Sequence, residues 1–189
     1  MIGAVTCVIA DGLDRTRQMA ESARVVVAAR AGVVLTRGGS SLPLPGLPGD
    51  RLLAPGSPVL STVANELAAT PTYVSFLVPV RHGGPEDVLR VTGLIAAEPA
   101  MDHLVGPVLL SAPGDLRGLG LLGLRILGLL VEGITDPAAL AAALSAPERT
   151  VVEALAVARG ALGAPDLTAA AVRALRAGLR IPPSLAFAA

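Results

Sequence analysis

Apolar and polar positions along this chain follow two different rhythms. Val5 to Ile9 is a short β-branched run closed by Asp11-Gly12, which predicts a strand and a turn. From Asp14 to Ala29 the spacing is helical: Met19, Ala23, Val26 and Val27 share a face, with Arg15, Arg17, Glu21 and Arg24 mostly elsewhere. Val33 to Thr36, running into Gly38-Gly39, reads as a second strand. Leu42 to Pro58 carries Pro43, Pro45, Pro48, Pro55 and Pro58 among glycines. Such a stretch cannot sit inside a helix or a central strand, so it reads as an irregular connection ahead of the alternative, a polyproline ligand. Val59 to Ala69 suits a helix that ends before Pro71. Tyr73 to Val80 and Val88 to Ala96 are the two best strands, and Arg81 to Asp87 between them reads as a hairpin loop. Leu104 to Leu110 adds a further strand.

After Ser111-Ala112-Pro113-Gly114 the strand signals stop, which places a boundary near residue 113. Residues 1–112 are expected to form an α+β module with an antiparallel sheet, and residues 113–189 an all-α domain of four helices. The first of these runs from Leu119 to Glu132 and stops at Gly133. The second opens with Asp136 as N-cap and Pro137 at the first helical position, carrying Leu140 and Leu144 on one face. The third has Ser145-Ala146-Pro147-Glu148, a capping-box spacing, and continues through Val151, Leu155 and Leu162 to Gly163. The fourth is opened by Asp166 or Thr168 and reaches Gly178. Short helices with a tight turn between the second and third are compatible with a helix-turn-helix unit, and with many small helical bundles.

Composition narrows the function classes. In 189 residues, 52% are hydrophobic and 16% charged, which excludes disorder driven by weak burial. Fifteen basic residues balance fifteen acids, so no strong net field draws nucleic acid or anionic membrane. All of the basic residues are Arg, with no lysine, and this reads as the codon bias of a GC-rich, bacterial genome. One cysteine, Cys7, forms no internal disulfide and supplies no cysteine-rich zinc site; it reads as a small buried hydrophobe. Aromatics are 2%, leaving few platforms for stacking bases. The N-terminus lacks a basic region and meets Asp11 early, unlike a secretory signal. The apolar run Leu119 to Val131 holds Arg125 and falls short of the roughly 20 residues that span a bilayer. The expectation is a soluble, cytoplasmic protein that does not engage membranes.

Candidate chemistry is sparse. His82 lies in the hairpin loop beside Glu86 and Asp87, an arrangement that reads as solvated rather than as a metal site or proton relay. His103 follows Met101-Asp102, and no serine occupies the setting of a nucleophile elbow. Gly38-Gly39-Ser40-Ser41 lacks the lysine of a phosphate loop and precedes prolines. No enzyme, cofactor or metal is expected.

The C-terminal residues carry a more specific signal. Leu127-Gly128-Leu129-Leu130-Val131-Glu132-Gly133, Leu140-Ala141-Ala142-Ala143-Leu144, Arg149-Thr150-Val151 and Leu162-Gly163-Ala164-Pro165 resemble the LuxR-type helix-turn-helix of bacterial transcription regulators. The tail Thr168 to Leu179 is similar to the end of such a domain, and the resemblance covers Leu116 to Ile181, about a third of the chain. It implies that the third helix reads DNA, that Arg149 and Thr150 contact it, that Arg159 touches phosphate, and that the fourth helix supports dimerisation. Regulators of the family often carry a sensory module of PAS or GAF type before this domain, the role implied for residues 1–112, which could equally serve dimerisation.

Several positions depart from the family pattern. Gly120-Leu121-Leu122-Gly123 stands where Thr-x-Arg-Glu is usual, Thr135-Asp136 replaces a polar pair and is followed by an extra residue, Ala154 stands at a customary His and Ala161 at a customary Lys. Asp115 to Ala189 holds seven Arg against six acids, a net charge of only +1. Duplex affinity comes mainly from neutralising phosphates and base reading from donors such as Arg, Lys, Asn or Gln. The expectation is therefore a regulator of LuxR type whose recognition helix is degenerate, with DNA binding weakened or lost. The alternative is a protein-interaction or dimerisation module derived from one, pairing with itself or with a related regulator through the third and fourth helices. Val151, Val152, Leu155 and Val157 leave the third helix apolar around much of its circumference.

Overall fold

A computed structural model of the chain describes residues 28–69, 73–80, 88–95 and 104–185. The expected strand at Val5 to Ile9 with Cys7, nearly all of the helix at Asp14 to Ala29, the hairpin loop with His82, and His103 lie outside the described residues. The chain divides into two compact units: residues 1–74 with 91–112, and residues 75–90 with 113–189.

Five strands, β1 (Ala29–Thr36), β2 (Ser41–Pro43), β3 (Tyr73–Pro79), β4 (Val88–Leu94) and β5 (Leu104–Ser111), form one sheet in the order β2-β1-β5-β4-β3. β1 pairs antiparallel with β2, Val34 opposite Leu42, and with β5, Val33 opposite Val108. The architecture is α+β, with the strand-rich part first. Pro43 ends a three-residue strand on the sheet edge, one of the few positions where a sheet tolerates proline. The proline-rich segment after it folds back: Leu44 is buried with Val34, Leu104 and Leu109, and Leu47 packs on the same cluster.

In the first unit, the helix α1 (Pro58–Ala69) follows a short 3-10 turn at Arg51–Leu53 that Asp50 caps by accepting from Leu52 N at 2.9 Å. Ser57 opens α1, its Oγ accepting from Leu60 N at 3.2 Å, and Pro58 takes the first helical position, where a missing N–H costs nothing. Val59, Leu60, Val63 and Leu67 are buried along one side. Gly93 of β4 lies against this helix: a Cβ there would fall 2.6 Å from Val63 Cγ1.

The second unit holds four consecutive helices, α2 (Leu121–Val131), α3 (Pro137–Leu144), α4 (Glu148–Leu162) and α5 (Leu167–Ala177). α2 is buried along most of its length, through Leu124, Ile126, Leu127, Leu129 and Leu130, with half-buried Arg125 as its one charge. At eleven residues it is a core helix, and no described helix is long and apolar enough to cross a membrane. After α5 the chain returns across the unit: Ile181 N donates to Leu124 O at 3.0 Å and Leu77 N to Arg180 O at 2.8 Å. Arg180 is buried, its guanidinium 6.0 Å from the centroid of the Phe76 ring.

Candidate nucleic-acid interface

The candidate DNA-contacting residues lie on α4, so the local rules that place α4 come first. Asp136 caps α3 by accepting from Ala139 N at 2.9 Å, and Pro137 stands at its start, as the sequence predicts. α3 ends on Ser145, a non-glycine residue in the left-handed region (φ 50), which turns the chain sharply. Its N–H donates toward the Ala141 and Ala142 carbonyls. The expected capping box is therefore corrected: Ser145 terminates α3, Pro147 is the N-cap of α4, and no side chain caps that end. Only Ser145, Ala146 and Pro147 separate the two helices, and a residue committed to ending one helix cannot also open the next.

α4 follows its apolar period. Val151, Leu155, Ala158 and Leu162 are buried, while Val152 and Val157, 47% and 60% exposed, face solvent. The four apolar residues singled out in the sequence thus divide into two that build the core and two that do not. Gly163 in the left-handed region closes α4. Arg173 of α5 then donates to the carbonyls of Leu162 and Gly163, placing a cation where the helix dipole favours one. Asp166 caps α5, accepting from Ala169 N at 2.7 Å, and so decides between the two residues the sequence offered.

Arg149, Thr150 and Arg159 are all exposed, but they do not converge. Arg149 and Thr150 adjoin in the first turn, whereas Arg159 lies in the last, about 15 Å further along the axis at 1.5 Å per residue. Arg149 Nε donates to Glu153 Oε1 at 2.9 Å, one turn on, in a pair whose side chains are 89% and 64% exposed. Arg159 Nη2 donates to the Pro165 carbonyl, bracing the turn into α5. Both guanidinium groups thus have partners within the unit, and the outer side of α4 presents Val152, Ala156, Val157 and Gly160 beside them. On α5, Val172 and Leu175 are also exposed.

Sequence reasoning passed over Arg90, whose guanidinium donates to the carbonyls of Pro113 and Ala177 and to Ser75 Oγ. The available signal was a single charge inside the apolar strand pattern Val88 to Leu94. Among the described residues no group of three or more His, Cys, Asp or Glu could hold a metal ion.

No family model matches the chain, and no curated protein matches it. Among solved structures it is similar to the VqmA dimer of Vibrio cholerae, described together with LuxR-type receptors. The identity is 15% over 91% of this chain and 93% of that one, at a TM-score of 0.40. It is also similar to VqmA bound to DPO, at 17% identity over 87% of this chain and 90% of that one, with a TM-score of 0.37. At these identities and TM-scores the likeness defines neither the fold nor the function of this chain.

Proposed function

We propose that this chain is a regulatory protein of LuxR-like type in which α3 and α4 form a helix-turn-helix whose reading of base pairs is weakened or lost. One observation carries the reading: on the outer side of α4 the exposed Val152 and Val157 stand where polar donors would be needed, and Glu148 and Glu153 offset the charge of its two arginines. A helix that reads bases in the major groove needs free donors on its outer side. Residual contact with DNA would fall to Arg149 and Thr150, with Arg159 on phosphate. The first unit, with β1, β2, β5 and α1, is compatible with a sensory or dimerisation module of PAS or GAF type.

Fluorescence anisotropy of the full chain against random duplex DNA and its own upstream region, at about 50 and about 200 mM salt, tests this reading. The expected result is weak binding or none at the lower salt. Tight, steeply salt-dependent binding that Arg149→Ala abolishes would overturn the loss of base reading and leave an active DNA-binding regulator. The exposed Val152, Val157, Val172 and Leu175 favour a second reading, a module that associates with another copy or with a related regulator. Light scattering on the same samples distinguishes the two: an oligomer without DNA affinity supports the second, and a monomer removes its self-association.

A further inference from the structure

The second unit contains a side chain placed to hold two distant stretches of chain at once. Arg90, half-buried in β4, donates from Nε and Nη2 to the Pro113 carbonyl at 3.0 and 2.8 Å. Its Nη1 donates to Ala177 O at 3.0 Å, to Gly178 O at 3.4 Å and to Ser75 Oγ at 3.1 Å. Pro113 is where the chain approaches the four helices, and Ala177-Gly178 is where it leaves them. The carbonyls at the end of α5 lack intrahelical donors and sit at the negative end of the helix dipole, so a guanidinium is well matched to them. Gly178 completes the seat. It has φ +62, and a Cβ there would fall 2.5 Å from Arg90 Nη1 and 2.6 Å from Ser75 Oγ.

We propose that Arg90 is a conformational clamp: its single guanidinium fastens the chain ahead of α2 to the end of α5, and its release loosens the last turn of α5 and the segment through Ile181 while α2, α3 and α4 stay folded. The forked guanidinium is essential to this, because its nitrogens reach two groups of acceptors at once, whereas an ammonium is a point charge that serves one. The clamp is independent of whether α4 touches DNA.

Hydrogen exchange by mass spectrometry on the full chain tests it, comparing the unaltered protein with Arg90→Ala, Arg90→Lys and Ser75→Ala. Arg90→Ala is expected to accelerate exchange at residues 175–181 by about tenfold or more, the loss of several charge-assisted bonds, with α2 and α4 amides unchanged. Arg90→Lys is expected to give the same local pattern at smaller amplitude, and it decides the matter if the alanine variant does not fold. Ser75→Ala keeps both backbone attachments and is expected to leave the rates unchanged. Unaltered exchange at residues 175–181 in the arginine variants would overturn the clamp. So would acceleration spread evenly over all four helices, or a Ser75→Ala effect equal to that of Arg90→Ala.

Discussion

A methyl group at Gly128 would sit 1.9 Å from the carbonyl oxygen of Ile181, well inside any allowed contact. Ile181 is not free to retreat, because its N–H donates to Leu124 O one turn earlier on the same helix. Gly128→Ala is therefore expected to destabilise the unit by about 3 kcal/mol, at the upper end of ordinary overpacking. In thermal denaturation that corresponds to a fall in Tm of about 6–12 °C for a chain of this size. The glycine was visible in the sequence as part of the motif from Leu127 to Gly133, but its reason was not. The atom that excludes a side chain belongs to a segment far along the chain, and periodicity reports only on near neighbours. Arg149 is the opposite case: its identity and its Glu153 neighbour at i+4 suffice to anticipate the pair. An ion pair this exposed contributes less than about 1 kcal/mol. Replacing Arg149 and Glu153 together by alanine is expected to leave Tm within about 2–4 °C of its original value, measured by circular dichroism.

At the scale of elements, legibility followed capping chemistry. Gly133, Asp136 with Pro137, Gly163, Asp166 and Gly178 bound the C-terminal helices where the sequence places them, because each acts through the backbone of its own few neighbours. Ser145 misled because it ends α3 two residues before Pro147 opens α4, and left-handed geometry at a serine leaves no mark on composition. Asp166→Ala is expected to cost about 1 kcal/mol, the usual value of an N-cap, and to lower Tm by about 2–4 °C. The division of α4 into buried and exposed valines and leucines gives a sharper test. Leu155→Ala should destabilise by about 2–5 kcal/mol, whereas Val157→Ala should stay within about 0.5 kcal/mol in urea denaturation. Equal effects would mean that Val157 is covered in solution.

At the scale of the molecule, the change from strand to helix near residue 113 was plain in the sequence, and the strand order was not. Pairing of β1 with β5 joins segments separated by most of the sheet, and local patterns carry no record of it. Nor could the sequence show that residues 75–90 contribute to the same unit as the helices. Residues 113–189 produced alone lack Arg90 and Leu77, two sources of bonds to the end of α5 and the segment after it. That fragment is expected to show a broad, low-amplitude thermal transition compared with the full chain, by circular dichroism. A sharp transition at the full-chain temperature would show that the helices need no help from β3 and β4.

The return of Arg180 and Ile181 to Leu77 and Leu124 also sets an order of events at the ribosome. The amide of Leu77 and the carbonyl of Leu124 are synthesised long before the residues that will satisfy them. Until residue 181 has cleared the exit tunnel, α2 carries an uncovered flank at Gly128 and the middle of β3 an unmet donor. The contacts of α2 and β3 with this segment therefore form only after residues 180 and 181 have emerged, so these two elements are the last in the second unit to be covered.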